Sequence, residues 1–118
     1  MRPLLKRLHS PDIFDLESFS PDEGDCFGFL LQAMVGPEDG EGEESFDIVV
    51  CTPKWLGQLL AKDIVLSGRH YLFVKEYNLE TIRSFLEQYA RQCSGETWQD
   101  VAQKLSRIGH WEFEDYLA

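Results

Sequence analysis

Between Asp12 and Pro53 the chain has no lysine and no arginine, yet it carries twelve carboxylates there. They are Asp12, Asp15, Glu17, Asp22, Glu23, Asp25, Glu38, Asp39, Glu41, Glu43, Glu44 and Asp47. Of 118 residues, 21 are acidic and 11 basic, so everything outside this segment holds nine acidic and eleven basic side chains and sums to +2. A block of one sign repels itself and weakens the compact state, so it is either a solvated face or a surface built to meet something positive. Such a field speeds encounter with a basic partner and opposes nucleic acid and anionic lipid. The pI near 4.6 argues the same way against direct nucleic-acid binding.

Other absences exclude further classes. No run of about 20 apolar residues occurs, so no membrane-spanning helix is expected. Lys6 and Arg7 interrupt the start Met1-Arg2-Pro3-Leu4-Leu5, and no small-residue cleavage site follows, which excludes a secretory signal. Close ligand pairs such as C-x-x-C or H-x-x-x-H are missing, so a zinc site is not expected. Cys26, Cys51 and Cys93 are odd in number and widely spaced, which reads as reduced core thiols in a cytoplasmic protein. With His9, His70 and His110 they form no local signature of a nucleophilic pair, so the chain is read as a binding protein and not an enzyme, with a small thiol enzyme as an alternative. The glycines at 40 and 42 alternate with carboxylates that would repel phosphate, and the EF-hand order is absent. No cofactor and no metal are expected.

What is present fits one domain over 1–118. The 43% hydrophobic content and the eight Phe, four Tyr and three Trp can fill a single core. Residues 4–9 read as a first strand stopped by Ser10-Pro11-Asp12. Residues 12–25 read as an ordered loop pinned by Ile13, Phe14, Leu16 and Phe19. In 26–35, Phe27, Phe29, Leu31, Ala33 and Val35 fall on one face at period two, the pattern of a half-buried strand. Gly36-Pro37 stops it, and Phe46–Cys51 returns as its hairpin partner around the charged tip 38–44.

Thr52 and Pro53 predict an N-cap and first helical position, with Trp55, Leu56, Leu59 and Leu60 as the apolar stripe. Residues 70–77 read as another strand. Asn78 is expected to cap a helix with Leu79, Ile82, Phe85, Leu86, Tyr89 and Cys93 on one side, ended by Gly95. Thr97 and Asp100 predict a capping box for a last helix that ends at Gly109. The aromatic and acidic tail 110–116 reads as an edge strand or a docked turn, with Trp111 and Phe113 as candidate exposed anchors. The order predicts an α+β fold: a mainly antiparallel sheet of about four strands with two or three helices packed on one face.

Several pieces of the sequence go together. They are Leu8-His9-Ser10-Pro11-Asp12, Phe27-Gly28-Phe29-Leu30-Leu31-Gln32-Ala33, Glu44-Ser45-Phe46-Asp47 and Cys51-Thr52-Pro53-Lys54-Trp55-Leu56. Gly68-Arg69-His70-Tyr71, Ser94-Gly95-Glu96-Thr97-Trp98 and Trp111-Glu112-Phe113-Glu114 complete the set. In these the chain resembles the immunity protein 8 family of bacterial polymorphic toxin systems, over nearly its full length. The resemblance implies a cytoplasmic antidote, of the contact-dependent growth inhibition type, that binds the C-terminal domain of a cognate toxin. A basic nuclease is the toxin class that the acidic block suits best, since nucleases must hold phosphate. In that reading the quoted residues are scaffold. The working surface is then Asp22, Glu23 and Asp25 with the tip carboxylates Glu38, Asp39, Glu41, Glu43 and Glu44. An acidic adaptor for a basic protein that is no toxin is the other reading. The toxin's substrate, the mode of inhibition and the oligomeric state stay open.

Overall fold

Alternation of apolar and polar residues along residues 28–51 builds the centre of the molecule. A computed structural model describes residues 1–114. In chain order the elements are β1 (Pro3–His9), β2 (Gly28–Pro37), β3 (Glu44–Cys51), α1 (Pro53–Asp63), β4 (Tyr71–Phe73), α2 (Leu79–Arg91), α3 (Trp98–Leu105) and β5 (His110–Trp111). The five strands form one sheet of order β1-β2-β3-β4, and β5 also pairs with β3. All pairings are antiparallel except β3 with β4. The fold is therefore α+β with a mostly antiparallel sheet, and the fifth strand is the tail that the sequence left between strand and turn. Residues 115 and 116 of that tail lie outside the described residues.

The inner face of the sheet follows from period two. Phe29, Leu31, Ala33 and Val35 of β2 lie beside Phe46, Ile48 and Val50 of β3, all buried. Ile82, Leu86 and Ala90 of α2 and Val101, Ala102 and Leu105 of α3 cover them. Each large apolar side chain of this set contributes about 1.5–3 kcal/mol on burial. The stripe of α2 closes through Leu79, Ile82, Leu86 and Ala90, which leaves Phe85 exposed. Asn78 Oδ1 accepts from the Thr81 N–H, and Thr97 with Asp100 forms the full capping box of α3, both as the sequence indicated. These side chains satisfy N–H groups that the helix leaves orphaned.

Several local expectations are corrected. The strand predicted over 70–77 is three residues long, because the chain must turn to enter α2 and Tyr77 reaches back to donate to the Leu16 carbonyl. Gly95 does not end α2, whose C-cap is Gln92; instead its carbonyl accepts from the N-terminal ammonium at 2.7 Å. Likewise Ser106 caps α3 and Gly109 lies buried beyond it. α1 buries no residue fully, and its Trp55 ring lies over Gly28 on the outer face, so the helices do not all share one side. Of the four loop anchors, Ile13, Leu16 and Phe19 pack on the core, whereas Phe14 is fully exposed.

Thr52 is the N-cap residue of α1, as its position predicts, but its hydroxyl serves another bond. Its side chain makes no cap bond to α1. It is fully buried, and its Oγ1 accepts from the Phe27 N–H at 3.1 Å and donates to the Phe27 carbonyl at 3.4 Å. The backbone N–H of Thr52 also donates to that carbonyl at 3.0 Å. The residue thus extends the β2–β3 pairing past the last strand residue. Thr52→Val keeps the shape and strands a buried N–H, so it should lower unfolding free energy by about 2 kcal/mol in urea titration. A loss under about 0.5 kcal/mol would show that water replaces the hydroxyl.

Candidate binding surface

The acidic segment divides by what each carboxylate touches. Some carboxylates complete the scaffold. Ser10 Oγ donates to the Leu30 carbonyl at 2.6 Å while Asp12 Oδ2 accepts from the Leu30 N–H at 2.8 Å. These two side chains carry on the β1–β2 ladder after Pro11 breaks the strand. Asp15 accepts from the Glu17 N–H and the Ser18 hydroxyl within its own turn. Glu17 pairs with Arg83 at 3.1 Å, and Asp47 accepts from the Ser45 hydroxyl.

Glu44 is the most committed of them. Its Oε1 accepts from the indole N–H of Trp98 and, at 3.1 Å, from that of Trp111. One carboxylate at the start of β3 thereby ties α3 and β5 together. Trp111 is 7% exposed and stacks on Phe46, so it is a core residue and not the exposed anchor that its terminal position suggested. Phe113 is exposed, with its ring edge-on to Trp111 at 5.9 Å.

The remaining sequence-predicted site residues fall into two groups. Glu38, Asp39, Glu41 and Glu43 occupy the hairpin tip. The tip is held down on the sheet: Lys6 Nζ donates to the Gly40 carbonyl, and Arg7 Nε pairs with Glu43, both at 2.6 Å. A register shift between Leu5 and Arg7 in β1 makes Lys6 the extra residue that reaches the tip. Gly42, at φ +95°, lies so close to Gly36 that a Cβ on Gly36 would stand 2.0 Å from its carbonyl oxygen. Asp22, Glu23 and Asp25 lie on the loop before β2. Lys54 Nζ stands 3.7 Å from Glu23 and 3.8 Å from Asp25.

The two groups flank opposite ends of the ten-residue β2, about 30 Å apart along the strand. The eight residues do not form one continuous patch. Among the described residues, the side chains of Asp22, Glu38, Asp39 and Glu41 have no hydrogen-bond or ion-pair partner and are exposed.

The thiols are set up for packing. Burial pushes the Cys51 and Cys93 thiols up from their ordinary pKa, and desolvation followed by the Glu23 charge does the same at Cys26. All three stay protonated at neutral pH, which disfavours nucleophilic attack. Cys51 and Cys93 are buried as expected, while Cys26 is half-exposed, with its sulfur 3.6 Å from Gln58 Oε1. His70 has its Nε2 2.7 Å from the Ser106 carbonyl. Among the described residues, no group of three His, Cys, Asp or Glu side chains is placed to hold a metal ion, and no helix is long and apolar enough to cross a membrane.

Apolar exposure is what the sequence reading missed. Phe14, Ile64, Val65, Phe73 and Phe85 all stand out of the surface. Ile64 has φ 66° and ψ −48°, and the Val65 N–H donates to the Asp63 carbonyl at 2.6 Å, a strained γ-turn that projects two aliphatic side chains. The available signal for Phe85 was Ala90: the buried positions 79, 82, 86 and 90 centre the α2 stripe on their own side of the helix and leave Phe85 beyond its margin.

The sheet thus presents carboxylates from loops at both of its ends. Residues 4–116 match the family model described as Immunity protein 8, and the chain belongs to that family. Its members are immunity proteins, which have toxins as partners. Neither a curated protein nor a solved structure matches the chain.

Proposed function

We propose that this chain is a cytoplasmic immunity protein that binds a cognate toxin domain, a basic nuclease, and neutralises it without catalysis. The working surface is acidic: Asp22, Glu23 and Asp25 at one end of β2, and Glu38, Asp39, Glu41 and Glu43 at the other. Glu44, which the sequence alone groups with these, acts by holding the scaffold that presents them. The observation that supports the reading is the set of four exposed carboxylates of the 12–53 segment that have no internal cation among the described residues, in a chain of net charge −10. Their field accelerates docking on a phosphate-binding surface and selects for it.

The test is growth of cells that express the toxin domain encoded beside this chain, with and without the chain, and size exclusion of the complex at low and high salt. Rescue with co-elution supports the reading; toxicity that the chain leaves untouched sinks it for that pair. The acidic surface has its own test. Converting Asp22, Glu23, Asp25, Glu38, Asp39 and Glu41 to their amides should slow association at low salt by about tenfold or more and leave dissociation nearly unchanged. Full protection by that variant would remove the acidic surface from the mechanism and leave immunity standing.

A further inference from the structure

The sheet ends at β1 on one side and at β4 on the other, and the backbone of β4 is only half used. The Val49 N–H donates to the His70 carbonyl at 2.9 Å and the Val74 N–H donates to the Cys51 carbonyl at 3.0 Å. In a parallel ladder alternate residues face the neighbouring strand. His70, Leu72 and Val74 therefore face β3, and Tyr71 and Phe73 turn their N–H and C=O groups away from it. No described residue bonds these outward groups. Edges of this kind are ordinarily blunted by charge, proline or a covering element. Tyr71-Leu72-Phe73 has no charge and no proline, and Phe73 is 54% exposed.

Hollows flank the edge on both faces. Toward α2, Leu72, Phe73, Ile82 and Phe85 line one of about 370 Å³, with Phe85 49% exposed as its far wall. Toward α1, Pro53, Phe73 and Val74 line another of about 460 Å³. Phe73 is the ridge between them. A strand laid along β4 would send successive side chains to opposite faces, one into each hollow.

We propose that an extended segment of a positively charged partner adds to β4 as a further strand, its alternate apolar side chains filling the two hollows. A second copy of this chain is the other candidate occupant. Net charge −10 makes two copies repel and favours a positively charged partner; at the α1-side hollow itself Asp25 and Glu23 already face Lys54, with Lys75 on the same lining, so the attraction comes from the field of the whole chain and from Asp22 on that loop. The inference rests on the immunity reading and names where the toxin's main chain docks. It also makes the 22–25 loop the acidic group beside the contact, with the hairpin tip a strand's length away.

The experiment is residue-resolved amide hydrogen exchange on the full chain, alone and with the adjacent-encoded toxin domain that it rescues. Tyr71 and Phe73 amides should exchange fast in the free chain and at least about tenfold slower in the complex. Phe73→Pro removes one outward N–H and should weaken binding about tenfold or more, whereas Phe73→Ala, which keeps that N–H, should weaken it less. Phe85→Lys, at an exposed position that leaves the core intact, should also weaken binding and decides the matter if Phe73→Pro does not fold. Unchanged exchange at both amides, with Phe85→Lys binding as wild type, overturns the edge while immunity survives. Protection that rises with the concentration of the chain alone assigns the edge to a second copy and overturns the proposal. A wild-type chain that neither rescues nor binds removes the immunity reading and this inference with it.

Discussion

Replacing Glu44 by alanine should remove about 3 kcal/mol of unfolding free energy, because two indole N–H groups lose their acceptor together. That is a large share of the roughly 5–15 kcal/mol that a domain of this size has in total. Trp111 is the costlier of the two, being buried against Phe46 where water cannot easily replace the carboxylate. Glu44→Gln keeps an oxygen in place and should lose about 1 kcal/mol or less, the difference between a charged and a neutral acceptor. Urea titration followed by tryptophan emission reads both, since the residues that lose their partner are the fluorophores. An alanine variant as stable as wild type would mean that α3 and β5 are held on β3 by apolar packing alone. The expected loss also explains why a charge-neutralisation study of the acidic surface must leave Glu44 untouched. Its removal would reduce protection by unfolding the scaffold and would be mistaken for a lost contact.

Two glycines should respond to alanine with opposite signs. A Cβ on Gly109 would stand 2.8 Å from Phe46 Cβ and 3.1 Å from both Ile48 Cγ1 and the Phe46 carbonyl carbon. These neighbours belong to the central strand and cannot step aside, so Gly109→Ala should cost about 2–3 kcal/mol and loosen β5 from β3. Gly57 lies inside α1, exposed, and a methyl group there would meet nothing within 4 Å. Gly57→Ala removes conformational freedom from the unfolded chain and should gain about 0.5–1 kcal/mol. Thermal melts of the two variants beside wild type settle it. A neutral Gly109→Ala would show that the turn after α3 can lift without disturbing the sheet.

Much of the fold is legible where one residue type answers one local need. Period-two alternation identified β2 and the face it buries, Pro53 marked the start of α1, and Asn78 and the Thr97/Asp100 pair marked the two later helices. Each is a short-range signal with a short-range cause. The parallel pairing of β4 was not legible, because its partner is set by the crossover through α1 and not by its own residues. Thr52 stands at the N-cap position that the sequence indicated, but the use of its hydroxyl was not legible, because a hydroxyl before a proline serves a helix cap or a strand end equally well. The candidate site is harder still. Charge content is visible in a sequence, but which carboxylates are already engaged depends on contacts such as Glu44 with Trp98, 54 residues away. The resemblance quoted from Ser10, Asp12, Glu44, Thr52, Trp98 and Trp111 marks strand ends and layer ties, so it identifies the scaffold and leaves the contact surface to the less regular loops.

The pairing of β5 with β3 sets the order in which the molecule can be completed. The first three strands are joined by loops and pair as neighbours, so that unit can assemble early and locally. The free margin of β3 has to wait for Tyr71–Phe73 and then for His110–Trp111, the second contact spanning from Asp47 to His110. Non-local closures of this kind come late and slow the approach to the native state. A nascent chain that has not yet reached Trp111 therefore has its central strand open and Glu44 without the second of its indole partners. For a protein that has to be ready before its target acts, the lag between synthesis and competence is written into the position of β5.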